Sequence, residues 1–97
     1  MLLDDRTDDG SRKFAELPEC HPFELLRDHI ASLRGAVVTD FLTDGTVEVW
    51  IDFALEGEEF TVNNQLGEFW FFVKNPDAPD ALLHRVVKHC ARLLNRS

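Results

Sequence analysis

Residues 36–55 read AVVTDFLTDGTVEVWIDFAL, and this stretch decides the fold of the chain. Apolar and polar side chains alternate along residues 47–55, which is the period of a strand with one buried face. The Asp44-Gly45 pair between two such runs is the strongest short signal for a β-hairpin. Two further strand-like runs follow, near 59–64 and at 69–73, after polar turns. The sequence therefore predicts a four-stranded antiparallel meander.

A helix is predicted on each side of this meander. Pro22 opens the first helix, residues 22–34, because proline is favoured at the first helical position. Apolar residues then recur at helical spacing as far as Gly35. The second helix covers residues 79–95, where leucines and valines recur at the same spacing. The predicted fold class is α+β, with two helices packed on one face of the sheet in the order α-β-β-β-β-α.

The N-terminal residues 1–17 differ from the rest of the chain in composition. They are rich in Asp, Arg, Gly and Ser and show no sustained periodicity. We therefore expect a mobile acidic tail, with Phe14 and Leu17 tucked onto a single α+β domain at 18–97. Deletion of residues 1–16 is then expected to shift the melting temperature by only a few degrees.

The pairing of the strands assigns the two faces of the predicted sheet. A two-residue Asp44-Gly45 loop sets Val38 opposite Ile51, and the later turns set Phe53 against Val62 and Val62 against Phe71. One face is the core that the helices cover, and the other holds both tryptophans. The core face comprises Val38, Leu42, Val47, Val49, Ile51, Phe53, Leu55, Phe60, Val62, Phe69, Phe71 and Val73. The second face comprises Thr39, Phe41, Glu48, Trp50, Asp52, Thr61, Asn63, Trp70 and Phe72.

We interpret the second face as an interaction surface, because an exposed apolar patch with a polar rim marks a contact site. A homodimer in which two such sheets meet is the leading expectation, and Trp70→Glu is then expected to give a folded monomer. One alternative is that a different protein binds to this face. Another is that the N-terminal tail or a strongly coiled sheet covers the aromatic side chains. The predicted interaction face is Phe41, Trp50, Trp70, Phe72, Glu48, Asp52 and Asn63.

Charge is unevenly distributed along the chain, which has 10 Lys and Arg, 18 Asp and Glu, and a formal net charge of −8. This balance argues against a nucleic-acid partner, since phosphates would be repelled. Residues 35–73 contain no Lys or Arg, whereas the last helix carries a basic stripe. We interpret the stripe as a solvated face, with a docking strip for an acidic partner as the alternative. Its members are Arg85, Lys88, Arg92 and Arg96.

Several functional classes find no support in the residues. No apolar run approaches the roughly 20 residues of a membrane span, and Asp4-Asp5 follows Met1 too closely for a secretory signal. Two widely separated cysteines, Cys20 and Cys90, predict reduced thiols in a cytoplasmic protein. Their histidine neighbours make zinc conceivable, but the spacing matches no usual zinc module, so no metal or other cofactor is expected.

The sequence contains no motif of a known catalytic centre: GxSxG, HExxH, a P-loop and a dinucleotide-binding glycine pattern are all absent. We therefore predict no catalytic residue. The hypothesis is a small acidic, non-enzymatic module for protein interaction or self-association, one form being an inhibitor that covers a basic enzyme. The alternative is a small-molecule-binding domain or minor enzyme with a pocket at the aromatic face or at a subunit interface.

Overall fold

The computed structural model describes residues 2–44 and 48–95. Within these residues the six strands form one antiparallel sheet in the order β1-β2-β6-β5-β4-β3. The α+β class is confirmed, whereas the prediction of four strands is wrong. The elements are β1 Asp5–Arg6, β2 Arg12–Pro18, α1 Phe23–Ala31, β3 Val37–Thr43, β4 Val49–Leu55, β5 Glu58–Gln65, β6 Glu68–Val73 and α2 Asp80–Ala91.

The two additional strands come from the segment that the sequence assigned to a tail. β2 pairs with β6, and its Phe14 is fully buried against the rings of Phe60 and Phe71. A bulge between Lys13 and Ala15 interrupts the alternation of side chains in β2. The sequence of this strand therefore lacks the regular apolar-polar pattern that predicts a strand. Residues 12–17 are therefore part of the sheet, and we expect their deletion to destabilise the protein.

Both helices pack on one face of the sheet and share its core. Leu26 and Ile30 of α1 and Leu83 and Val86 of α2 are buried in one cluster with the core-facing residues of β2 and β4–β6. The helices begin within one residue of the predicted positions but end earlier, at residues 31 and 91. Gly35, in the left-handed region at φ +88, lies between α1 and β3.

The pairing of β3 with β4 corrects two of the predicted face assignments. Phe41, not Val38, lies opposite Ile51, and a bulge separates Val38 from Asp40. A shift by an odd number of residues exchanges the faces of a strand. Phe41 therefore packs on Phe23 on the helix side, with ring centroids 5.9 Å apart, and Leu42 is exposed on the other side. The prediction placed both on the wrong face.

The connection between these strands explains the error. Val49 pairs with Thr43, whereas a two-residue Asp44-Gly45 loop would have set it opposite Asp40. Gly45 and Val47, a turn and a core residue in the prediction, lie outside the described residues. The β4–β5 pairing also differs, but by two residues, which keeps every side chain on its predicted face. The predicted β5–β6 pairing of Val62 with Phe71 is confirmed.

The C-terminal ends of the two helices are joined by a pair of stacked histidines. The rings of His29 and His89 lie 4.1 Å apart at an angle of 17°. The Nε2 of each ring lies 2.6 Å from the backbone carbonyl oxygen of the other, and because a carbonyl only accepts, each ring donates from Nε2.

Replacing one of these histidines is expected to weaken the contact between the helices. His29→Ala and His89→Ala should each lower the free energy of unfolding by about 1–2 kcal/mol, because a hydrogen bond between the helices is lost and a stacked ring is removed. The double variant should cost less than the sum, as in any directly coupled pair. Urea denaturation of the three variants measures the coupling, and strict additivity would show that the two rings act independently.

Candidate functional site

The side of the sheet that faces away from the helices is the candidate site, and we call it the open face. Neighbouring strands align its side chains in two rows across the sheet, because directly paired residues point to the same side. The first row is Glu16, Trp70, Asn63, Trp50 and Leu42. The second row is Lys13, Phe72, Thr61, Asp52 and Asp40.

Most of the predicted interaction residues do meet on this face. The structure brings together Trp50, Asp52, Asn63, Trp70 and Phe72. The two exceptions are Phe41 and Glu48, and Phe41 lies on the helix side, as described above. The exposed Glu48 precedes β4, where its backbone N–H donates to the side chain of Asp44 at 3.1 Å.

The open face contains a groove with a volume of about 730 Å³, within the range of small-ligand pockets. Its floor is formed by the central strands, and one wall is the β1–β2 loop. The floor side chains are Trp50, Asp52, Thr61, Asn63 and Phe72. The wall residues are Thr7, Asp8, Asp9 and Ser11. Thr39, Glu59 and Lys74 also line the groove.

The wall of the groove is a turn that is stabilised by hydrogen bonds to the carboxylate of Asp9. Asp9 Oδ1 accepts hydrogen bonds from the hydroxyl of Thr7, from the backbone N–H of Ser11 at 3.0 Å and from its hydroxyl at 2.7 Å. These donors, Thr7 first and then Ser11, lower the pKa of Asp9 to about 2. The run Thr7 to Ser11, with its Asp and Gly, carries the turn signal by which the sequence could have predicted this wall.

The two tryptophans of the open face have different environments. The ammonium of Lys13 lies 3.4 Å from the centroid of the Trp70 ring and also pairs with Glu16, and Lys13 is only 7% exposed. One face of Trp70 is therefore covered by a cation of the same chain. Trp50 lines the groove and is 41% exposed, so its ring remains accessible.

Two polar side chains flank Trp50 on the groove floor. Asp52 accepts a hydrogen bond from the hydroxyl of Thr61 at 2.8 Å. Asn63 lies directly opposite Trp50, and its Oδ1 is buried without a hydrogen-bond partner among the described residues. A buried acceptor without a hydrogen bond costs about 1–3 kcal/mol. A ligand that donates a hydrogen bond to Asn63 Oδ1 would therefore stabilise the protein.

The groove carries an excess of negative charge. Its charged lining residues are Asp8, Asp9, Asp52, Glu59 and Lys74, and Lys74 is paired with Glu59 at 3.2 Å. Within the described part of the chain, no Lys or Arg lies within salt-bridge distance of Asp8, Asp9 or Asp52. The field of these three carboxylates therefore favours a cationic ligand.

Comparison of the chain with protein-family models, with curated proteins and with solved structures finds no significant match.

The basic stripe of α2 lies apart from this groove, since none of its described members lines it. Arg85 forms an ion pair with Glu56 and donates to the backbone carbonyl of Arg34 at 3.0 Å. Lys88 and Arg92 are exposed. Arg96 lies outside the described residues. Of the described stripe, Arg85 thus holds α2 against the turn that follows β4.

The cysteines and their histidine neighbours are not gathered into one cluster. Cys20 is exposed, and Cys90 is buried, which raises the pKa of its thiol to about 12. Over residues 2–44 and 48–95 no three His, Cys, Asp or Glu side chains are arranged to hold a metal ion. In the same part of the chain, neither helix is long and apolar enough to cross a membrane.

Proposed function

We propose that this chain is a non-enzymatic recognition module that binds a protein partner through its open face. The observation that carries the proposal is the groove around Trp50, a large aromatic side chain that stays 41% exposed on the face that the helices leave uncovered. Tryptophan is among the residues that contribute most binding energy at protein interfaces. Exposed apolar surface with a polar rim is the usual composition of such sites.

The chemistry of the groove supports binding more than catalysis. Its described lining contains hydroxyls and carboxylates but no histidine or cysteine, so the serine and threonine hydroxyls have no imidazole base beside them. The Asp52 carboxylate accepts a hydrogen bond from Thr61 and lies on the floor beside Trp50. An aromatic ring beside a hydrogen-bonded carboxylate is suited to recognising a donor or a cation.

Self-association through the same face is a second candidate, favoured by apolar residues at its β3 side. Val37 and Leu42 are 61% and 57% exposed and lie on the same side of the sheet as Trp50. Direct pairing of two β3 edges is disfavoured, because β3 has a bulge and Asp40 accepts the backbone N–H of Phe41 at 2.9 Å. A dimer would therefore join the two open faces, bringing like-charged carboxylates together.

The proposed function is tested by parallel capture on the wild-type chain, Trp50→Ala and Leu25→Ala, from a lysate of the cells that make the protein. Leu25 is a matched control, since it is 48% exposed but lies on α1. We expect a protein that is retained by wild type and Leu25→Ala and is depleted about tenfold on Trp50→Ala, because an aromatic anchor is lost. Equal recovery on all three chains would contradict the proposal.

Sedimentation velocity at high micromolar concentration separates the second candidate from the first. A dimer that dissociates in Trp50→Ala and persists in Leu25→Ala supports self-association through the open face. A wild-type monomer at that concentration excludes it and leaves the face to a different protein.

A further inference from the structure

We infer that the groove receives an arginine side chain from a basic segment of the partner protein. This inference rests on the proposed function, because it names the chemistry of the partner at the same site. The electrostatics supply the first argument: Asp8, Asp9 and Asp52 are not paired with a cation of the described chain, and the whole chain carries a formal charge of −8. A basic segment is therefore drawn to this protein and, on arrival, toward this groove.

The aromatic floor supplies the second argument. The Lys13 ammonium over Trp70 shows that the open face stabilises a cation against an indole ring. Trp50 offers an equivalent ring, and no Lys or Arg of residues 2–44 and 48–95 lies over it. Asp52 lies two residues further on the same strand, about 7 Å along the backbone, so a guanidinium stacked on Trp50 comes within reach of this carboxylate.

The choice of arginine over lysine follows from the number of acceptors around Trp50. Asn63 lies directly across from Trp50, and its Oδ1 is the buried acceptor without a partner. A guanidinium has five N–H donors in a planar fork and can stack on an indole while donating to two acceptors, whereas an ammonium is a compact point charge. We expect the Asn63 amide to rotate toward the guest when it binds, since its oxygen is covered in the free protein.

The experiment titrates the full chain with an acetylated, amidated hexa-arginine peptide. Hexa-lysine, hexa-glutamate and a glycine-serine peptide of the same length are the comparison probes. The fluorescence of Trp50 is followed in a Trp70→Phe background, which leaves one tryptophan and keeps an aromatic ring under Lys13. We expect hexa-arginine to bind about threefold or more tightly than hexa-lysine, and the two other peptides not to bind.

Charge variants separate the groove from the general acidity of the chain. Asp52→Asn should weaken hexa-arginine binding about tenfold and the loop variant Asp8→Asn about threefold, because each removes a carboxylate that lines the groove. Glu24→Gln removes the same charge from the exposed first turn of α1 and should change the affinity less than about twofold. Circular dichroism of each variant verifies the fold, and the surface position of Asp8 keeps the test valid if Asp52→Asn unfolds.

Equal weakening by the three charge variants, or equal binding of hexa-glutamate, would overturn the inference. The inference would also be overturned if the protein forms a dimer that prevents hexa-arginine from binding at Trp50. If the peptide fails while a captured partner still depends on Trp50, the inference falls and the proposed function stands. If capture is also independent of Trp50, both fall.

Discussion

Removal of residues 1–16 is expected to leave a chain that does not fold cooperatively. The deletion takes away most of β2, including Phe14, which is fully buried against Phe60 and Phe71. It also leaves β6 as an edge strand with its backbone groups unpaired and exposes core residues beneath it. Loss of one buried Phe costs about 3–5 kcal/mol, and a domain of this size is stable by only about 5–15 kcal/mol.

Point variants identify the cause of this loss. Phe14→Ala should lower the free energy of unfolding by about 3–5 kcal/mol, because it leaves a cavity in the core. Leu3→Ala, in the same segment but 39% exposed, should cost less than about 1 kcal/mol. Both are measured by guanidinium denaturation followed by circular dichroism. A shift of only a few degrees in the melting temperature of the deletion would restore the interpretation of this segment as a tail.

The parts of the fold that sequence predicts well are those in which alternation is unbroken. Strands β4 to β6 and both helices lie close to the predicted positions, because their apolar residues repeat at one period over the whole element. β2 escaped detection because its bulge at Phe14 interrupts the period within a strand of seven residues. The face of β3 was wrong because it depended on a loop length that only tertiary pairing determines.

The candidate site also has residues whose placement the sequence predicts and others whose placement it does not. Trp50, Asp52, Asn63, Trp70 and Phe72 could be placed on one face, because an error of two residues in β4–β5 pairing preserves parity. The turn at Thr7–Ser11 has a sequence signal, but its position as a wall of the groove could not be predicted, nor could the cation over Trp70. Both depend on residues 7–13 meeting the central strands through the β2–β6 pairing. The sequence therefore placed these five residues on one face but did not predict the environments of the two tryptophans.

Substitution of the two tryptophans of the open face is expected to lower stability to different extents. Trp70→Ala should lower the free energy of unfolding by about 2–3 kcal/mol, because the half-buried ring packs under Lys13 and its loss leaves that ammonium beside an empty space. Trp70→Phe retains a ring for the cation and should cost about 1 kcal/mol. Urea denaturation compares these variants with Trp50→Ala, for which less than about 1 kcal/mol is expected, since Trp50 is more exposed.

This difference decides which variant can test the open face as an interface. Trp70→Glu, expected to give a folded monomer, is a poor test of association, because it removes a ring that packs under Lys13 within the chain. Loss of association in that variant could then arise from altered folding alone. Trp50→Ala removes the accessible ring with the fold retained, so a partner or a second copy held by this face should be lost about tenfold or more. A stable Trp70→Ala together with an unstable Trp50→Ala would reverse these assignments and make Trp70 the exposed anchor of the open face.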